Sequence, residues 1–209
     1  MKPQTLGLLA ILTVGVGLTG FNTMDLFQES SGISTTGEGL GIGGHVTVVH
    51  KDATGNVLSY QQYDNVIVNE GLNCVTEYLF ASANTTCAST SQTEQFDAIG
   101  LLGTAPDVQI EDNAASGITR LTGSGLDPVQ ATTRGIDVAA SGTGTSQGSS
   151  TTGMQHTFTK TGAGSVTVGG ATLQTLANDA IFAAKAFTGG DLTLNENDTL
   201  QITWSIALG

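Results

Sequence analysis

Charge is what this chain has least of. Only 11% of its residues are Asp, Glu, Lys or Arg, against about a quarter in an average soluble protein. Helical bundles cover their outer faces with paired Glu, Lys and Arg, so too few are present for a mostly helical fold. Basic residues are the scarcest: 6 Lys and Arg stand against 18 Asp and Glu, a formal charge of −12. Phosphate backbones repel such a polyanion, so no nucleic acid is expected as a partner. The acidic balance suits salty or extracellular surroundings instead. Proline is nearly absent at 3, while glycine reaches 29 and Ser and Thr abound, which favours short strands joined by polar turns. With 209 residues the chain can bury one good core, or at most two small ones.

What is present is clearest at the carboxyl end. Thr199 to Leu208 alternates without a break: Leu200, Ile202, Trp204, Ile206 and Leu208 on one side, Thr199, Gln201, Thr203, Ser205 and Ala207 on the other. Successive side chains of a strand point to opposite faces, so this is a half-buried strand. At roughly 25 cal/mol per Å² of apolar area, its dry face supplies several kcal/mol. The single tryptophan, Trp204, is expected to anchor the core, with Phe158 and Phe182 as candidates for packing on it.

The amino end reads differently. Lys2 is followed by the apolar run Leu6–Phe21, broken only by Thr and Gly. A basic start before such a run is an export pattern. The run slightly exceeds a signal core and falls short of a bilayer span of about 20 residues. Residues 1–21 are therefore read as a cleaved signal or a retained membrane anchor, with a buried core element as the remaining option. Membrane contact is expected only through this segment. Residues 22–44 mix Ser, Thr and Gly with scattered acids and read as a flexible arm, one that in a polymer would add a strand to a neighbour. Gly39, Gly41 and Gly44 satisfy G-x-G-x-x-G literally. The dinucleotide motif needs a strand before it and a helix after it; here a linker precedes and a strand follows, so no cofactor is expected.

Residues 45–209 read as one all-β domain, an antiparallel β-sandwich or jelly roll with one short helix. His45–Lys51 and Val57–Tyr63 flank Asp52-Ala53-Thr54-Gly55-Asn56, a hairpin signature, with Asn65–Val68 as a short third strand. Leu72, Val75, Tyr78 and Leu79 then recur at helical spacing, so Glu70–Ala81 is expected to be the helix, with Asn69 as its cap. Further strands are expected at Phe96–Leu102, Ile118–Thr122, Ile136–Val138, Met154–Lys160, Ser165–Gly169, Ile181–Phe187 and Asp191–Leu194. Residues 139–153 read as a loop. Cys74 and Cys87, the only cysteines, are expected to form a disulfide in an exported chain; free thiols are the alternative, and zinc would need histidines that are remote in sequence. Asn84 and Asn197 begin N-glycosylation sequons in turn-like stretches.

Catalytic chemistry finds little support. Gly144-Thr145-Ser146-Gln147-Gly148 matches a nucleophile elbow, but that motif requires a strand-to-helix turn with Asp and His following. Ser146 lies instead in low-complexity sequence with only His156 after it. His45 and His50 are five apart in one strand and face opposite ways, and His156 reads as a surface residue. Asp107, Glu111 and Asp112 have the oxygen ligands calcium takes, though a solvated acidic loop is the plainer reading. The chain is not expected to be an enzyme, nor to hold a resident metal.

Three stretches carry a family resemblance. They are Asn65-Val66-Ile67-Val68-Asn69-Glu70-Gly71-Leu72 running into the helix, Phe96-Asp97-Ala98-Ile99-Gly100-Leu101, and the ending from Asp191 to Ile206, with a short strand, an acidic turn and an alternating strand holding Trp204. Over residues 45–209 the chain resembles β-sandwich structural subunits of archaeal extracellular filaments or pili and of tailed-virus virion proteins. The resemblance implies a repeated structural subunit without an active site. With the export-like start, the expectation is a cell-surface, pilus-like filament subunit whose partners are copies of itself. The alternatives are a virion tail or capsid protein and a surface binding module.

Overall fold

The computed structural model describes residues 41–80, 95–103, 119–138, 150–176 and 180–208. Strands β1 (Ile42–Lys51), β2 (Val57–Asp64) and β3 (Val66–Ile67) precede α1 (Asn69–Phe80). Next come β4 (Ala98–Leu102), β5 (Val129–Gln130), β6 (Thr133–Val138) and β7 (Ser150–Thr159). The final part holds β8 (Val166–Val168), β9 (Gly170–Gln174), β10 (Ile181–Ala186), β11 (Leu192–Leu194) and β12 (Thr199–Leu208). One five-stranded sheet has the order β2-β1-β12-β7-β6, and a second has β3-β10-β9-β4-β5. Every pairing is antiparallel, and a small β11-β8 ribbon completes the set. Both large sheets and the ribbon contribute to one hydrophobic core. This is the expected all-β sandwich.

β12 lies in the middle of the first sheet. Its ten residues pair with β1 on one side and β7 on the other along their whole length. Leu200, Ile202, Trp204 and Ile206 are buried as the alternation predicts, while Leu208 at the strand end is exposed. Trp204 has Val46 and Met154 as its cross-strand neighbours; Phe158 stands opposite Leu200 instead. With both sides of β12 occupied, no acceptor groove runs beside it. Among the described residues, the free edges of this sheet are β2 and β6.

The sandwich begins earlier than the composition suggests. Gly43 and Gly44, assigned above to the arm, pair with Ala207 and Ile206 inside β1, so the first strand starts at Ile42 rather than His45. Gly44 is tolerated in the strand because the Asn65 amide occupies the space its Cβ would need. This also disposes of the glycine fingerprint, since a strand stands where a helix N-terminus would be required.

The β1–β2 hairpin is closed by Asp52. Its carboxylate accepts from the Thr54 and Asn56 backbone N–H groups, both at 2.9 Å, and from both side chains, while Gly55 takes a φ of 90°. These bonds hold the Asp52 carboxyl well below the ordinary carboxylate range, Asn56 contributing most.

α1 is tied to β10 by its first turn. The Val68 carbonyl accepts the first helical bond, from Leu72 N–H at 3.2 Å, so Val68 and not Asn69 occupies the cap position. Val68 N–H donates to the Phe182 carbonyl at 3.1 Å, and the buried Glu70 carboxylate accepts from Ile181 N–H at 2.9 Å. Val68, Ile181 and Ala184 form a small second cluster at this junction. Cys74 is fully buried on the inward side of α1.

Candidate functional site

A cleft of about 570 Å³ opens between the two sheets. Phe96, Met154, Leu173, Phe182 and Ile206 give it apolar walls, with the Phe96 and Phe182 rings tilted at 40° and 5.2 Å between centroids. Asp97 and Arg134 stand at the rim as an ion pair. Gln130 Nε2 donates to the same Asp97 oxygen at 2.9 Å, and Ala131 N–H donates to the Asp97 carbonyl at 2.8 Å. Thr152 Oγ1 donates to the Gly135 carbonyl at 2.6 Å and is not poised as a nucleophile. A carboxylate compensated by a guanidinium is a poor base, and none of the described lining residues is a histidine or cysteine. The cleft can accept an apolar group beneath a polar rim.

The second polar concentration is structural. Asp198, in the turn before β12, is buried at 3% exposure. Its Oδ2 accepts from Asn195 N–H at 2.8 Å and lies 3.3 Å from Nε2 of buried His50, 148 residues away in sequence. Lys160 is also buried and directs its Nζ to the carbonyls of Gly162 and Ala163. The Lys160 N–H donates to the Asp198 carbonyl at 3.0 Å, and Asn197 N–H donates to the Lys160 carbonyl at 2.8 Å. These bonds satisfy each buried polar group locally and lock the ends of β1, β7 and β12 together.

His156 departs from its expected surface position. It shares the inward-facing parity of Met154 and Phe158, and its ring meets Phe158 edge-on at 4.7 Å. Burial lowers its pKa below the ordinary value of 6.5. The folded state therefore prefers the neutral ring. Its contribution is complete above the unfolded pKa and is lost as pH falls through about 6.5 toward the folded value. Denaturant midpoints are expected to drop between pH 7.5 and pH 5.5, and His156→Gln is expected to flatten that slope.

His45 lies 3.6 Å from Asp64 at the sheet margin, on the face opposite His50. Asn197 is exposed in its turn with a φ of 66°. Cys87, Asn84, Ser146, Asp107, Glu111 and Asp112 lie outside the described residues. Among the described residues, no three His, Cys, Asp or Glu side chains converge as a metal site requires.

The outer face of the first sheet is uncharged across its centre. β1, β7 and β12 contain no Asp or Glu, in a chain that holds 18. Gln155 Nε2 donates to Thr203 Oγ1 at 2.8 Å, and Gln201 Nε2 donates to Thr157 Oγ1 at 3.3 Å, forming cross-strand polar rungs. Beside this face, β2 exposes Val57, Leu58 and Tyr60 by 56–59%. Comparison with protein-family models, with curated proteins and with solved structures finds no match.

Proposed function

We propose that this chain is an exported structural subunit that assembles with copies of itself into a cell-surface filament. The observation that carries the reading is the acid-free centre of the first sheet, strands β1, β7 and β12. Identical copies of a chain with a formal charge of −12 repel one another, so close packing favours a face free of carboxylates. Its Thr, Gln and Ser side chains offer both donors and acceptors to a second copy. The apolar run Leu6–Phe21 after Lys2 supports export. In an oxidising location Cys74 and Cys87 pair; that Cys74 is not a free thiol agrees with this. The exposed Asn197 is then open to glycosylation.

The arm, now residues 22–41, is the proposed link between successive subunits. Deleting it is expected to leave the melting temperature of the sandwich unchanged and to abolish filaments in negative-stain micrographs. Filaments of normal length from the deleted chain would remove the arm from the assembly.

A further inference from the structure

We propose that β2 is the edge through which two copies pair, antiparallel and about a two-fold axis at Tyr60, joining their first sheets into one continuous sheet. The inference rests on the self-assembly reading and names the contact surface. An exposed strand edge is a template for another strand, and proteins that stay single protect their edges with Lys, Pro, bulges or short strands. β3 and β5 are two residues long. β6 is interrupted by a register shift between Ile136 and Val138 and carries Arg134. β2 has eight residues, with no proline and no basic side chain; its one register shift against β1 falls at Leu58, next to the hairpin turn, and the ladder is unbroken from Ser59 to Asp64. Its one charge, Asp64, lies 3.6 Å from His45.

The register follows from the faces. Ser59, Gln61 and Tyr63 stand opposite the inward residues His50, Val48 and Val46 of β1, so Leu58, Tyr60 and Gln62 point outward. A two-fold axis normal to the sheet keeps outward residues with outward residues. With the axis at Tyr60, Tyr60 meets Tyr60 of the second copy, Leu58 meets Gln62, and Asp64 falls beyond the ladder opposite Asn56. Moving the axis to Gln61 would set Leu58 against Asp64. The first register joins aromatic to aromatic and keeps the two carboxylates apart, an advantage between two acidic copies. An isologous contact closes on itself, so filament growth uses a second contact.

The test is made on the full chain. Tyr60→Cys is expected to give a disulfide-linked dimer on mild oxidation, since directly opposed strand residues fall within disulfide reach. Leu58→Cys alone is expected to give none, while Leu58→Cys combined with Gln62→Cys restores the link. The unsubstituted chain, with only Cys74 and Cys87, is the control. Tyr60→Lys places like charges at the axis and is expected to weaken the dimer about tenfold or more in sedimentation, while the melting temperature measured at dilutions where the chain is monomeric stays unchanged because the side chain is exposed. A monomeric unsubstituted chain, a dimer indifferent to Tyr60→Lys, or position 60 linking to the arm would each overturn the proposal. Filaments that form without this dimer overturn it and leave the filament reading intact. Dimers that never form filaments uphold it and remove the filament reading.

Discussion

Replacing Trp204 by alanine is expected to destabilise the sandwich by about 3–5 kcal/mol, among the largest effects of any single truncation in this chain. Trp204 is fully buried at the middle of β12, between Val46 on β1 and Met154 on β7. Both neighbouring strands are paired along their length, so the backbone cannot collapse to refill the cavity, and the cost lies at the upper end of the range. For a domain of this size the loss corresponds to a melting temperature lower by roughly 10 °C or more. Trp204→Phe is expected to behave differently. Among the described residues the indole Nε1 meets no acceptor although it is buried, and leaving such a donor unmade costs about 1–3 kcal/mol. Phenylalanine removes that penalty while keeping most of the apolar volume, so its net loss is expected to stay below about 1.5 kcal/mol. Thermal and urea unfolding of the two variants separate these contributions. A loss for Trp204→Phe clearly above about 1.5 kcal/mol would show that the indole N–H is satisfied.

Gly71→Ala is expected to destabilise by about 1–3 kcal/mol, although alanine is the better helix former by about 1 kcal/mol. Gly71 lies in the first turn of α1, where the added Cβ would collide with the carbonyl oxygen and Cα of Phe182. These are backbone atoms of the residue at the β10 register shift, whose neighbours Ile181 and Ala183 are paired to β9 and, at Ala183, to β3, so the chain on either side of Phe182 resists the displacement. The helix must lift from β10, and the bonds from Val68 to Phe182 and from Ile181 to Glu70 weaken with it. Hydrogen exchange at the Ile181 amide is expected to accelerate in step with the loss of global stability. Unchanged protection there, with a raised melting temperature, would mean that helix propensity outweighs the collision.

How much of this was readable depends on whether one face of an element met water. β12 alternates because its inner side chains enter the core while Gln201, Thr203 and Ser205 look outward, so its pattern stands plainly in the sequence. β9 carries no such pattern: all five of its residues are buried, and Gly170-Ala171-Thr172-Leu173-Gln174 has neither period. The opening of β7, Ser150 to Gly153, reads as loop by composition, yet small polar residues suit a strand that pairs with the far end of β12. The Ile118–Thr122 segment reads as a strand or a strand edge. Of its described part, only Arg120 forms a bridge, to Leu102. The site was less legible than the fold. The cleft draws Phe96, Arg134, Met154, Leu173, Phe182 and Ile206 from separate segments, and His50 finds Asp198 across 148 residues; no local pattern encodes either meeting.

The central claim is that the chain leaves the cell and polymerises. Amino-terminal sequencing of native material, joined with negative-stain microscopy of the same fraction, tests both halves together. The account predicts a mature chain that begins after the Leu6–Phe21 run and regular filaments built from it. A chain still carrying Lys2, recovered from inside cells as unassembled particles, would contradict it.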